Sequence, residues 1–381
     1  MTTERLALAK RLVDDVLAPM KTAFVGKDEI IDLLGVCLVA GENLFLLGPP
    51  GTAKSALVHE LGRRIDGRVF DYLLTRFTEP NELFGPFDIR RLREGELLTN
   101  TEGMLPEAAL VFLDELLNAN SAILNSLLTV LNERVFRRGK ETRPLPTLMV
   151  IGASNRLPDD DALGALFDRF LMRVRCDNVP AERLPDVLEA GWRLELHRRE
   201  PEHRISADDL RRLQALLGEA NLAAVRPVFN EAVGRLRYAG IALSDRRAVK
   251  LQRLAAASAL LCGRLDALPV DLWVLRYIWD TEDQQEVIAG IVSDILRQAP
   301  AAEASHPRAR GDDRPEAESL ARDIEAIEQR LNGDLPAADL AYLRDRLGLL
   351  SSRCQWIADQ RQREFLLDRA EKLWPKLGVK R

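Results

Sequence analysis

The 381-residue chain carries 54 Lys+Arg against 59 Asp+Glu, a formal charge of −5, with 46 % apolar and 30 % charged residues. At roughly 100–200 residues per domain that allows two or three cored domains. The composition excludes a disordered chain and gives no global case for nucleic acid, leaving only a local basic patch. Cys37, Cys176, Cys262 and Cys354 lie far apart with no CxxC or Cys/His cluster. That excludes a zinc module or disulfide scaffold and fits a reducing compartment. His197 and His203 fall in an Arg/Glu-rich stretch and read as solvated surface.

In chain order, residues 3–18 read as an amphipathic helix closed by Pro19, with charges throughout and no signal-peptide layout. The longest apolar run, Leu33–Ala40, is far short of the roughly 20 residues that span a bilayer. A cytoplasmic protein without membrane insertion is expected. Val25-Gly26-Lys27 reads as a turn and Asp28 to Ala40 as a helix. Asn43–Leu47, between Gly41 and Gly48, is a short apolar run suited to a strand buried on both faces. Similar runs recur at Val69–Leu74, Leu110–Leu113 and Thr147–Ala153, with helical spacing between them. That alternation predicts an α/β core with a parallel sheet over residues 1–180.

After Pro180 the strand-like runs stop. Helical patterns at about 182–199, 207–218, 225–238, 245–262 and 282–297 predict an all-α domain over 181–300. Residues 301–315, AAEASHPRARGDDRP, have no period and read as an exposed linker. Over 316–381, Leu320, Ile324, Ile327 and Leu331 mark one helix and Asn332–Pro336 a turn. Leu340, Leu343, Leu347, Leu350, Cys354 and Ile357 then repeat in steps of three and four, a coiled-coil seam that predicts a helical hairpin.

Gly48-Pro49-Pro50-Gly51-Thr52-Ala53-Lys54-Ser55 follows the first strand and opens a helix at Ala56, the spacing of a phosphate-binding loop. Backbone N–H groups would curl around phosphates at a helix N-terminus, Lys54 would reach the β- and γ-phosphates, and Ser55 would bind Mg²⁺. Ala53 stands where a second glycine is usual, which implies a negative φ there. Leu110-Val-Phe-Leu113-Asp114-Glu115 is an apolar strand ending in two carboxylates, at the edge where open α/β sheets bind ligands. Asp114 would hold Mg²⁺ and Glu115 polarise the attacking water; read alone, the pair is equally a helix cap. A third strand ends in Ser154-Asn155, where an amide could orient that water or simply start a turn. Leu166-Phe167-Asp168-Arg169-Phe170 offers either a surface ion pair or an arginine finger donated to a neighbour's site.

With these pieces in this order the chain resembles an AAA+ ATPase of the MoxR family, RavA-like branch, over about residues 5–300. GPPGTAKS with its alanine, LVFLDE, NANSAILNSLLTVLNER, GASN and LFDRF carry the likeness. The resemblance implies an insert at 84–108 and a hairpin before the first sensor at 133–146, both meeting the substrate. It implies a second sensor in Ser244-Asp245-Arg246-Arg247, with Arg246 the better match and Arg247 the alternative, and an adenine contact at Val25-Gly26. RavA-like proteins carry a further β-rich domain after the module, where this sequence reads as linker and hairpin.

The family implies ATP and Mg²⁺ as cofactors, bound by Lys54, Ser55, Asp114, Glu115, Asn155 and Arg246, with Arg169 completing the neighbour's site in a homo-oligomeric ring, a hexamer. Turnover would move the loops at Arg90–Glu96 and Arg137–Lys140 against a protein client, with a von Willebrand factor A domain partner. Two readings compete with this remodeller. One is a nucleic-acid motor or loader using Arg134, Arg137, Arg138, Lys140 and Arg143. The other is a scaffold gated by nucleotide binding alone, in which Glu115→Gln would keep function.

Overall fold

A computed structural model describes residues 2–94, 96–138, 140–196, 201, 203–300, 304–310, 317–331, 337–354 and 360–377. His197, Gly139, the turn 332–336, Ile357 and linker residues 301–303 and 311–315 lie outside these. The first helix is longer than its proline implies. Helix α1 (Thr2–Arg11), a π-helical turn (Leu12–Leu17) and α2 (Ala18–Ala23) are continuous. The Ala18 N–H reaches back five residues to the Val13 carbonyl. Pro19, which has no N–H to give, thus follows a ladder already loosened ahead of it, and the helix runs through it to Ala23.

The core continues as α3 (Asp28–Ala40), β1 (Leu44–Leu47), α4 (Lys54–Arg64), β2 (Ile65–Asp66), β3 (Val69–Leu73), α5 (Pro80–Phe84), α6 (Ile89–Arg93), β4 (Leu110–Asp114), α7 (Ser121–Glu133), β5 (Val135–Arg138), β6 (Glu141–Pro144), β7 (Met149–Ser154), α8 (Asp161–Phe167) and β8 (Met172–Arg175). Five strands form a parallel sheet in the order β3-β4-β7-β1-β8. β1, β4 and β7 are buried, as their unbroken apolar runs require. The edge strand β8 was not legible, because its sequence MRVR alternates apolar residues with arginines. One of them, Arg173, is nevertheless fully buried.

The helical part comprises α9 (Leu184–Leu196), β9 (Ile205–Ser206), α10 (Ala207–Ala215), α11 (Arg226–Tyr238), α12 (Asp245–Leu261) and α13 (Glu282–Gln298). β9 pairs with β2 over two residues, and α10 packs on α1 and α3. A 3₁₀ run, Pro269–Tyr277, was not expected from spacing. It carries the buried Leu272, Trp273, Val274 and Leu275, and is anchored by Asp271, whose carboxylate accepts from Ser258 Oγ (2.8 Å), the Leu268 N–H (2.9 Å) and Arg264.

Residues 304–310, expected in an exposed linker, are docked. His306 is buried and stacks on Trp273 with ring centroids 4.5 Å apart. Arg308 Nε donates to Asp32 Oδ2 at 2.8 Å, and Arg264 Nε to the Ala304 carbonyl at 2.8 Å. The segment lacks a hydrophobic period, yet its imidazole and guanidinium suit an indole face and a buried carboxylate.

The chain divides into two compact units, Met1–Arg310 and Gly311–Arg381. In the second, α14 (Ala317–Arg330) and α15 (Ala337–Cys354) bury Leu320, Ile324, Ile327, Leu343, Leu347 and Leu350. Among the described residues a further helical stretch, α16 (Gln360–Glu371), packs on both, which the expected two-helix hairpin did not include. No helix among the described residues is long and apolar enough to cross a membrane.

Arg173 and Arg247 share one carboxylate: Asp280 accepts from them at 2.9 and 3.0 Å. Burial, and next the nearby Arg247, push the Arg173 guanidinium down to about 9. Asp280→Ala would strand both cations and should cost about 3 kcal/mol, the low end for a broken buried pair since Asp280 is partly exposed. Urea unfolding followed by tryptophan fluorescence checks this.

Candidate nucleotide site

Leu47 ends β1 and the chain turns sharply. Gly48 donates its N–H to the Ser154 carbonyl at 3.0 Å, and a Cβ here would lie 2.2 Å from the Cys176 carbonyl oxygen, so only glycine fits. Thr52 Oγ1 donates to the Pro49 carbonyl (2.9 Å) and Cys176 Sγ to the Thr52 carbonyl (3.1 Å), bracing the loop from inside. Pro49, Pro50, Gly51 and Ala56 are exposed around its mouth. Lys54 is buried, with its ammonium donating to the carbonyls of Gly48 (2.7 Å) and Pro49 (2.8 Å).

Ala53 contradicts the expected negative φ: it sits at φ +69°, in the left-handed region, as does Gly51 at +82°. The loop must reverse so that α4 can start at Lys54 with its N–H groups facing the loop's interior. Alanine, with the smallest side chain that has a Cβ, tolerates this at a cost of roughly 1–2 kcal/mol.

β4 delivers the carboxylates. Ser55 Oγ donates to Asp114 Oδ2 at 3.4 Å, and the Glu115 N–H to Asp114 Oδ1 at 2.9 Å. Among the described residues no cluster of three or more His, Cys, Asp or Glu could cage a metal unaided. The Ser55–Asp114 oxygen pair instead fits Mg²⁺, which takes few protein ligands and completes its shell with water and phosphate. Glu115 is also left-handed, at φ +50°. Desolvation, and next the Asp114 charge, raise its carboxyl above the ordinary glutamate value, while Lys54 and Arg156 pull it back. Arg156 carried no sequence signal. It is held by the Leu117 carbonyl (3.3 Å) and Asp159, and its charge acts on Glu115. Asn155 follows β7, which lies between β1 and β4, and is exposed at the strands' C-terminal edge.

Val25 and Gly26 form a turn beside the loop. Gly26, at φ +74°, leaves no space for a Cβ, which would lie 2.8 Å from Val179 Cγ1, and Lys27 Nζ donates to the Asp177 carbonyl. Residues 176–179 therefore touch both the phosphate loop and this turn.

Arg169 and Arg246 lie elsewhere. The Arg169 carbonyl accepts from Asn43 Nδ2 (3.0 Å) where the chain enters β1, the opposite end of the sheet from the loop. That is roughly 16 Å away at 3.3 Å per strand residue. Arg246 was expected at its own chain's nucleotide. It lines a cleft with Asn132, Asp168, Arg169, Ser244 and Lys250, and donates to Asn132 Oδ1 at 3.2 Å. The cause is the seating of α12, whose Lys250 holds Glu42 (2.8 Å) and whose Arg253 holds the Ala40 carbonyl (2.8 Å). Arg247 is buried against Asp280 and the Ile278 carbonyl and lines the same cleft as Arg169 and Arg246.

The insert and the hairpin β5–β6 form one packed piece. Arg138 lies 4.2 Å over the Phe87 ring and donates to the Gly85 carbonyl. Arg143 donates to Thr101 Oγ1, and the Thr99 N–H to Glu141 Oε2 at 2.8 Å. Arg134 bonds Asn43 Oδ1 (2.6 Å) and Arg137 pairs with Glu133 (2.7 Å). Four of the five cations in the basic patch are thus held by bonds within the protein, one of them in an ion pair, so a phosphate backbone would have to compete with those bonds for them.

Ala53→Gly should raise stability by about 0.5–1 kcal/mol, the relief of strain exceeding the entropy gained by the unfolded chain; denaturant titration reads this directly. Because the Glu115 carboxyl is raised on folding, the folded chain binds that proton more tightly than the unfolded chain. Stability contributed here falls as pH rises through and above the glutamate range. Glu115→Gln should therefore melt higher than wild type at pH 7, with the gap closing toward pH 4. A gap that does not change with pH would contradict the assignment.

Residues 10–215 match the family described as the MoxR domain in the MoxR-vWA-beta-propeller ternary systems, and residues 224–292 match the AAA lid domain. Two uncharacterised proteins of Methanocaldococcus jannaschii are each 33 % identical, one over 289 residues (75 % of each chain) and one over 276 (72 % of this chain, 73 % of the relative). Chaperone MoxR1 of Mycobacterium tuberculosis is 24 % identical over 217 residues, 56 % of each chain. A crystal structure of a candidate ATPase from Cytophaga hutchinsonii superposes with a TM-score of 0.62 at 20 % identity, covering 79 % of this chain and 98 % of that one, a likeness of fold. With the phosphate loop, the Asp114–Glu115 strand end and the helical lid all in place, the chain belongs to the MoxR family of AAA+ ATPases.

Proposed function

We propose that this protein hydrolyses Mg-ATP at sites shared between neighbouring copies in a ring, a hexamer, and uses the turnover to remodel or activate a protein client in the cytoplasm. The observation that carries the reading is the separation of Arg169 from its own phosphate loop by the length of β1. A finger that cannot serve its own site can serve a neighbour's in a head-to-tail ring, where each interface joins unlike faces. Arg246, in the same cleft as Arg169, is assigned to that neighbouring site as well.

In this mechanism the Gly48–Ala56 backbone and Lys54 cradle the phosphates, and Val25-Gly26 lies against the adenine. Ser55 and Asp114 would hold Mg²⁺, which would supply charge neutralisation at the phosphates. Glu115 and Asn155 orient the attacking water, and the raised carboxyl of Glu115 brings it closer to the strength of a working base. The client is engaged by the joined insert and hairpin. Functional domains run 1–180, 181–300 and 316–381, and the RavA-like likeness of the motifs is part of this proposal. The family description names von Willebrand factor A and beta-propeller components, and the mycobacterial relative is named a chaperone. A von Willebrand factor A protein is accordingly the proposed partner.

Mixing tests the shared site. Lys54→Ala and Arg169→Ala should each be inactive alone, the latter still binding ATP. A 1:1 mixture should recover about a quarter of wild-type ATPase, since random assembly sets an intact finger beside an intact loop that often. Co-assembled mixtures no more active than their parents, or full activity of Arg169→Ala, would overturn the proposal.

A further inference from the structure

Helix α9 is apolar on two faces. Ala190 and Leu194 turn toward the core, as a single amphipathic stripe requires. On another side Leu184, Leu188, Trp192 and Leu196 recur every four residues while 48, 65, 64 and 57 % exposed. Scattered surface leucines need no explanation, but a continuous ridge of four large apolar side chains, one of them tryptophan, marks a contact surface.

Its place in the fold narrows what it contacts. α9 grows out of residues 176–183, the stretch that touches both the phosphate loop and the Val25–Gly26 turn. The helix that carries the ridge therefore starts directly after the stretch that contacts the loop and the turn. The cleft of Arg169 and Arg246, at the other end of the sheet, has apolar neighbours of its own. Tyr238 is 96 % exposed at the end of α11, and Val249 is 64 % exposed on α12, next to Lys250 and three residues from Arg246. Arg237, the residue before Tyr238, anchors this end of α11 to the start of α12, donating to the Leu243 carbonyl (2.8 Å) and pairing with Asp245 (2.7 Å). The two faces are also complementary in charge. Along α9 and its entry the acids Glu182, Asp186, Glu189 and Glu195 outnumber Arg183 and Arg193, whereas the cleft on the other face sets Arg169, Arg246, Arg247 and Lys250 against one acid, Asp168.

We propose that the Leu184–Leu188–Trp192–Leu196 ridge docks on the Tyr238–Val249 face of a second copy of this chain. The contact deepens the shared-site reading and rests on it: the surface beside one subunit's phosphate loop holds the surface beside the next subunit's Arg169 and Arg246. Apolar contact supplies the affinity, and the acidic-to-basic match fixes the orientation and excludes like faces.

The test uses the full chain with a slowly hydrolysed ATP analogue. Leu188→Asp and Trp192→Asp, at exposed positions, should melt as wild type and bind fluorescent ATP as monomers. Their assembly midpoint by mass photometry should rise at least tenfold. Trp192→Cys paired with Tyr238→Cys should cross-link into a ladder of oligomers with a short bismaleimide, and neither single variant should do so. Assembly of the aspartate variants at the wild-type midpoint, with no ladder, would overturn the docking surface while leaving the complementation of Lys54→Ala by Arg169→Ala intact. Loss of that complementation would instead remove the shared site itself. Aspartate variants that assemble normally but no longer bind a von Willebrand factor A partner would also overturn the proposal, giving the ridge to another occupant.

Discussion

One buried amide sets the geometry on which the site depends. Asn43, at the entry to β1, donates to the Arg169 carbonyl while its Oδ1 accepts from Arg134 and from the Val150 N–H. It ties together the start of β1, the approach to β8, the base of the β5–β6 hairpin and the strand that leads to Asn155. With that end of the sheet fixed, the four residues of β1 carry the chain to Gly48 and dictate where the phosphate loop opens. The separation between the loop and Arg169 is a strand length, and strands do not stretch.

Against that frame the active end stores strain. Ala53 and Glu115 are both left-handed without being glycine, one in the phosphate loop and one directly after β4. Each conformation is held by its surroundings: Ala53 by the braced loop, Glu115 by its N–H on the Asp114 carboxylate. Left-handed residues concentrate at working sites because a rigid scaffold can impose them, and here that scaffold is three adjacent buried strands.

What the sequence disclosed follows from how each feature is encoded. Strands buried on both faces appear as unbroken apolar runs, so β1, β4 and β7 were readable, and the residues at their ends, Gly48–Ser55, Asp114–Glu115 and Asn155, came with them. β8 escaped because Arg173 occupies a core position, paired with Asp280 and bonded to the Ile278 carbonyl, both far away in sequence, and to the nearer Phe167 carbonyl. The 3₁₀ run at 269–277 has no 3.6-residue period to detect. Ala53 misled because its identity argues for one φ and the loop imposes another. Arg246 carried the expected motif, but motif position says nothing of how Lys250 and Arg253 seat the helix beneath it. Arg156 has no motif at all and is found only by its field at Glu115.

The union of insert and hairpin also defines a load path. Lifting one loop from the other would uncover Phe87 beneath Arg138 and break the Thr99–Glu141 and Thr101–Arg143 bonds, so a pull on either tip is shared by both. The hairpin closes on itself through the Leu145 N–H and the Arg134 carbonyl, and three residues on, Leu148 is bonded to Ala109 where β4 begins. Tension at the surface therefore enters the sheet at the roots of β4 and β7, the two strands whose far ends carry Asp114, Glu115 and Asn155. Under the proposed function the chemistry and the cargo would bear on opposite ends of the same two strands, like two hands on one pair of rods.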